Sequence, residues 1–97
     1  MTNTEILVLQ SLYSKELSGL QIIQFIADIK GKSLDIRSFY PVFQKLEEKE
    51  LIKSRWGTER SSDRSGARKR YYRLTQSGEK ALADIQEFDN SLNWDFA

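Results

Sequence analysis

Between Ile36 and Ile52 the chain reads IRSFYPVFQKLEEKELI, and Ile36, Phe39, Phe43 and Leu46 recur at steps of three and four. That spacing places the four on one face of a helix. Leu51 and Ile52 close the run. The opposite face carries Arg37, Ser38, Tyr40, Gln44 and Lys45. Asp35 is the N-cap candidate, because its carboxylate can accept from the open N–H groups of the first turn. Pro41 lacks an N–H and crowds the preceding turn, so it belongs in the first turn or two. A surface helix whose charges only keep it soluble would carry Glu and Lys along its whole length. Here the outer face is graded: arginine, hydroxyl and aromatic groups come first, and Glu47, Glu48 and Glu50 stand at the far end. A helix that reads bases in the major groove needs that grading, with repulsive carboxylates kept clear of the phosphates.

Beyond Leu51 the period drops from 3.6 to two. Ile52, Ser54 and Trp56 alternate with Lys53 and Arg55, and Arg70, Tyr72 and Leu74 alternate with Lys69, Tyr71 and Arg73. Two such runs around the polar stretch 57–67, GTERSSDRSGA, describe a β-hairpin with a long basic loop. Trp56 and Tyr72 are expected as core aromatics. Arg64, Arg68 and Lys69 have no apolar neighbours to cover. The hairpin is also where positive charge collects. Residues 53–73 hold eight Lys and Arg against Glu59 and Asp63, a net of +6, while the remainder of a chain with overall charge +1 carries a net of −5. A basic stripe on a near-neutral protein suggests a polyanionic partner.

Upstream, residues 2–13 predict a first helix, capped by Thr2 or Thr4, with Ile6, Leu7, Val8, Leu9 and Leu12 apolar almost all round. Such a helix is expected to be covered on both sides, by its own core and by a partner subunit. Ser18 can cap a second helix whose buried face is Leu20, Ile22, Ile23, Phe25, Ile26, Ala27 and Ile29, and Gly31 suits the left-handed position that ends it. The short connection to Asp35 then fits a helix-turn-helix. Downstream, Thr75 caps a last helix in which Leu82, Ile85, Phe88 and Leu92, with Ala81, share a face that can pack on the domain or form a seam between two chains. Trp94 and Phe96 make the tail too apolar to dangle.

Ninety-seven residues form one core. The expected division is a winged-helix unit over 1–75 and a dimerising helix and tail over 76–97. No apolar run approaches the roughly 20 residues of a membrane span, and no signal-peptide pattern opens the chain, so a cytoplasmic location is expected. The sequence contains neither cysteine nor histidine, which removes disulfides, thiol nucleophiles, imidazole bases and His/Cys zinc sites. No glycine-rich phosphate loop or paired catalytic acids are evident. Neither an enzyme nor a cofactor or metal is expected.

Helix, helix-turn-helix, basic hairpin and trailing helix is the order of a winged helix, a mainly α fold with a small β-hairpin. The residues go further. Ser38-Phe39-Tyr40-Pro41, Leu46-Glu47-Glu48, Leu51-Ile52, Ser54-Arg55-Trp56, Gly66 and Arg70-Tyr71-Tyr72-Arg73-Leu74-Thr75 resemble the PadR family of transcriptional regulators, as does Leu17-Ser18-Gly19 before the second helix. The resemblance covers about Ile6 to Leu82. It implies a DNA-binding homodimer, usually a repressor, with Tyr40 and Ser38 at the DNA-facing end of the recognition helix. It also implies a small aromatic effector at the dimer interface for some members, where Trp94 or Trp56 could line a site. Two departures stand out. Gly66-Ala67-Arg68 replaces the family's Gly-Arg-Pro in the wing. Glu50 replaces its glycine before Leu-Ile, so a left-handed backbone there would carry a strain of roughly 1 kcal/mol.

The expected reading is therefore a regulator that binds a palindromic duplex as a homodimer. Arg37, Ser38, Tyr40, Gln44 and Lys45 would enter the major groove, and Arg64, Arg68, Lys69 and Arg70 would hold phosphates or the flanking minor groove. Ile6, Leu9, Leu82, Ile85, Phe88 and Leu92 would join the two copies. The alternative is a winged helix that docks its basic hairpin on an acidic protein. Salt dependence of binding to generic duplex separates the two.

Overall fold

The computed structural model describes residues 1–60 and 68–95, with side chains over 1–57 and 69–86. In order these form α1 (Asn3–Ser11), β1 (Leu17–Ser18), α2 (Gly19–Lys30), a 3₁₀ turn (Ile36–Ser38), α3 (Tyr40–Glu48), β2 (Ile52–Arg60), β3 (Arg68–Leu74) and α4 (Gln76–Asp95). The architecture is α+β, a winged helix-turn-helix with a trailing helix.

The caps follow the expected chemistry. The Thr2 side chain accepts from the Glu5 N–H at 3.2 Å. Ser18 and Gln21 make a reciprocal capping box at the start of α2. Gly31 ends α2 at φ 67° and donates to the Ala27 carbonyl at 2.8 Å.

The run from Ile36 to Glu48, expected as one helix, is broken in two. Asp35 caps the 3₁₀ turn, its carboxylate accepting from the Arg37 N–H at 3.0 Å. The Phe39 N–H then donates to Ile36 at 2.9 Å, and α-helical bonding resumes with Phe43 donating to Phe39 at 2.9 Å. Pro41 explains the break. In a continuous α-helix it would have to donate to Arg37, and its ring would strike that carbonyl. A tighter turn avoids both problems and leaves Pro41 in the first turn of α3.

Strand β3 is central in the order β1-β3-β2. Ile52 faces Leu74, Ser54 faces Tyr72 and Trp56 faces Arg70, while Leu17 and Ser18 pair with Tyr72 and Tyr71. Two residues show no periodicity, which is why β1 was invisible in the sequence. Strand β2 runs on to Arg60, so the stretch 57–67 is only partly a loop.

One core joins every layer: Val8 and Leu9 of α1 with Leu12 at its C-cap, Ile22, Ile23 and Ile26 of α2, Phe39, Phe43 and Leu46, then Ile52, Tyr72, Leu74 and Leu82. Helix α1 touches α2, α3 and α4 at once. Its all-round apolar character is thus largely covered by its own chain, without calling on a second copy. Leu9 and Leu82, expected at a dimer seam, are both buried inside the protomer.

The corner after α3 is closed by backbone and by Thr75. Leu51 N–H reaches back to Leu46 at 3.0 Å and Glu50 N–H to Glu47 at 2.9 Å, a Schellman arrangement with Glu50 in the left-handed position at φ 60°. Thr75 donates its hydroxyl to the Glu50 carbonyl at 2.6 Å and accepts from the Gly78 N–H at 3.0 Å. At Gly78 an added Cβ would lie 1.9 Å from the Leu51 carbonyl oxygen. Only glycine lets α4 start this close to the corner.

Candidate nucleic-acid interface

Burying Phe39, Phe43 and Leu46 fixes the rotation of α3 and turns Arg37, Ser38, Tyr40, Gln44 and Lys45 outward, all exposed. Tyr40 is 54% exposed, although a tyrosine could readily have been drawn into the adjoining core. The Ser38 hydroxyl donates to the Asp35 carbonyl at 2.7 Å, which leaves its oxygen able to accept. The Gln44 amide lies 3.5 Å from the Glu48 carboxylate, at the limit of a hydrogen bond.

Lys45 and Lys49 flank a buried carboxylate on α1. Glu5 is 3% exposed. It accepts from Lys49 Nζ at 3.2 Å and from the Thr2 hydroxyl at 3.1 Å, with Lys45 Nζ at 4.0 Å. Burial works to raise its pKa, but the Lys49 and Thr2 hydrogen bonds and the two lysine charges together outweigh burial, and the carboxyl titrates below its ordinary value. Lys45 keeps a side chain 59% exposed, so it remains available to an anion outside.

The wing is more tightly organised than its charge suggested. Arg70 donates through Nε to the Ser54 hydroxyl at 2.9 Å and meets both Glu47 carboxylate oxygens at 3.4 Å. Its guanidinium lies 5.5 Å from the Trp56 ring centre and 5.8 Å from that of Tyr72, within cation–π range. Arg70, expected to hold phosphate, is therefore already engaged by the chain itself. On the other face of the hairpin Arg55 makes a two-pronged ion pair with Glu16 and lies over Tyr71 at 5.1 Å. The Arg55 hydrogen bond holds the Glu16 carboxyl below its usual range, against the smaller effect of burial. Lys69 is exposed on β3.

Trp56 corrects the expectation of a core aromatic: it is 60% exposed, whereas Tyr72 is 5% exposed, with burial raising its hydroxyl pKa. Both lie on the same sheet face as Ile52. The core ends at Tyr72, and the strands project past it. Between α3 and the wing lies a cleft of about 400 Å³, lined by Tyr40, Phe43, Gln44, Glu47, Arg70 and Tyr72.

Of the remaining expected residues, Arg64 lies outside the described residues. Arg68 opens β3, and Phe88, Leu92 and Trp94 lie within α4, but their side chains are outside the described set; Phe96 is also outside it. Ile6 and Ile85 are half-buried. The pairs Glu5–Lys49, Glu16–Arg55 and Glu47–Arg70 were not foreseen. They join residues 44, 39 and 23 positions apart, and no local pattern announces such contacts. Among the described residues no helix is long and apolar enough to cross a membrane.

The Transcriptional regulator PadR-like family matches residues 8–84. A protein of Lysinibacillus sphaericus described only as uncharacterized is 33% identical over 81 residues, covering 81% of this chain and 71% of that one. The crystal structure of a PadR family transcription regulator from hypervirulent Clostridium difficile R20291 is similar at TM-score 0.72 and 26% identity, covering 99% of this chain and 100% of that one. PadR of Bacillus subtilis, solved in complex with operator DNA, is similar at TM-score 0.73 and 27% identity over 89% of this chain and 48% of that chain. RosR of H. salinarum, at TM-score 0.78 and 23% identity over 94% of this chain and 76% of that one, shares the fold.

Proposed function

Since the chain belongs to the PadR-like family of transcriptional regulators, we propose that it is a sequence-specific DNA-binding repressor that acts in the cytoplasm as a homodimer on a palindromic site. The observation that carries this reading is the outward face at the start of α3. Arg37 and Ser38 in the preceding turn and Tyr40 at the helix start are exposed, Tyr40 lines a cleft shared with Arg70 of β3, and their side chains have little part in the core. With α3 in the major groove, these groups and Gln44 meet base edges, and Lys45 and Lys69 meet phosphates. Arg64 and Arg68 extend the phosphate contact along the wing. The operator complex of the Bacillus subtilis relative supports the same use of the fold here.

Residues 1–75 make the DNA contact in this reading, and 76–97 join two copies. With Leu9 and Leu82 committed to the protomer, the seam falls to Ile6, Ile85 and the continuation of α4 through Phe88 and Leu92. Trp56 stands on the wing beside Arg70. A small aromatic effector bound at the seam would therefore be met by Trp94.

A binding selection from random duplex DNA tests the proposal. The expected result is an enriched palindrome with half-site centres about 34–36 Å apart, one turn of DNA. Failure to enrich any sequence, with weak binding that ignores salt, would sink the reading and leave the wing as a dock for an acidic protein.

A further inference from the structure

The Glu47–Arg70 pair sits in the cleft that the DNA backbone must cross if α3 lies in the major groove and the wing beside it. Glu47 comes from the recognition helix and Arg70 from the wing, so the pair bridges the two DNA-facing elements. A phosphodiester presents two oxygens to a guanidinium much as a carboxylate does. The two ligands therefore compete for one cation. Arg70 is already aligned for either, because Ser54 holds its Nε at 2.9 Å and the rings of Trp56 and Tyr72 lie within 5.8 Å. Exchanging Glu47 for phosphate needs little new ordering of the side chain. The pair itself is long, at 3.4 Å, with side chains 43% and 28% exposed. A solvent-accessible contact of this kind is weak enough to be displaced.

Resting on the DNA-binding reading above, we propose that Glu47 is a brake on sequence-independent binding: it occupies Arg70 in the free protein and so withholds that cation from phosphate. Non-specific binding draws almost entirely on phosphate contacts, so one withheld arginine weakens it directly. Glu47 acts through Arg70 and is a positioning residue, not a base-reading one. The grading of the outer face of α3 acquires a second meaning here. Its acidic end is not uniformly clear of the DNA, because one of its carboxylates faces the wing.

The experiment measures binding of a duplex of arbitrary sequence against salt for the wild-type chain, Glu47→Gln, Glu48→Gln, Arg70→Ala and the Glu47→Gln/Arg70→Ala double variant. Glu47→Gln keeps the side-chain shape and frees Arg70. It should bind about tenfold more tightly, the size of one charge-assisted contact. The slope of log K against log salt should steepen by about 0.9, one further phosphate. Glu48→Gln removes the same charge one residue along and should give only a small shift with the wild-type slope. In the Arg70→Ala background the Glu47→Gln gain should vanish. Equal effects of Glu47→Gln and Glu48→Gln, or a gain that survives loss of Arg70, would overturn the proposal in favour of bulk charge. If Glu47→Gln leaves affinity and slope unchanged while the wild type binds DNA, the brake fails and DNA binding stands. If the wild type binds no duplex, both fail.

Discussion

The two ends of α3 are built for different work. At its start Tyr40, with Arg37 and Ser38 in the 3₁₀ turn just before it, projects outward, and these residues are held mainly by local backbone geometry. At its end Leu46 is fully buried, Lys49 is tied to a buried carboxylate, Glu47 is tied to the wing, and Glu50 is tied to Thr75. The outward side chains at the start carry little of the fold's stability, although Phe39 beside them belongs to the core, and the contacts at the far end carry much of it. If α3 reads DNA as proposed, a helix this short needs this asymmetry. The reading end can vary its side chains only if the anchoring end keeps the helix from rolling. Substitutions should therefore separate cleanly, into losses of stability at one end and losses of affinity at the other.

The largest expected effect lies at the anchored end. Leu46→Ala empties a site with no exposure, and the lost burial and the residual cavity together should cost about 2–5 kcal/mol. That is a large part of the roughly 5–15 kcal/mol that stabilises a typical domain. Thermal or urea denaturation would show it directly. A loss below about 1 kcal/mol would mean that the end of α3 is not the anchor. The complementary variant is Tyr40→Ala. It should leave the melting temperature nearly unchanged and weaken binding to the selected DNA site by about 1–3 kcal/mol, the worth of a base-edge contact. If Tyr40→Ala unfolds the chain instead, the contrast between the ends collapses.

Most of this asymmetry was legible in the sequence, but unevenly. Spacing located the buried face of α3 and the caps at Ser18 and Asp35, because each depends on residues within a few positions of one another, whereas the left-handed site at Glu50 was suggested by the resemblance to a family with glycine before Leu-Ile. Alternation also placed Trp56 on the face of Ile52 correctly. It could not say where along the strand the core stops, and so Trp56 was expected inside. The same limit applies to Leu9 and Leu82. Periodicity marks a residue as apolar and facing inward, but whether its cover is its own chain or a second copy depends on how four helices meet. The ion pairs that lock the far end of α3 join distant segments, and their partners become neighbours only once the chain has folded.

A smaller effect separates the two ends by pH. The folded Glu5 carboxyl titrates below its unfolded value, so its stabilising contribution is complete above the ordinary value of 4.5 and disappears as pH falls through the folded value. As pH falls below the ordinary carboxylate value of 4.5 and through the lower folded value, wild type should lose stability more steeply than Glu5→Gln, whose side chain does not titrate. The difference between their denaturation curves isolates the Glu5 contribution to the α1–α3 tether. Parallel curves across that range would show that Lys49 does not stabilise the charged form.

The smallest effect is the most direct check on the corner that terminates α3. Glu50 holds φ 60° while remaining exposed, and its carbonyl and N–H make the corner's hydrogen bonds. Glycine would keep all of those bonds, since none uses the glutamate side chain. It would relieve a left-handed strain of about 1–2 kcal/mol and remove a negative charge from the C-terminal end of a helix, worth roughly 0.3–1 kcal/mol. Against this, the unfolded chain gains backbone freedom worth about 0.4–1 kcal/mol. Glu50→Gly should therefore stabilise the protein by about 1 kcal/mol. Gly31 supplies the mirror experiment, because it has the same backbone hand at φ 67° and open space where a Cβ would project. Gly31→Ala should cost a similar amount, with backbone conformation as the sole cause. If Glu50→Gly destabilises the chain while Gly31→Ala behaves as expected, the glutamate side chain itself supports the corner, and the anchored end of α3 relies on more than backbone and Thr75.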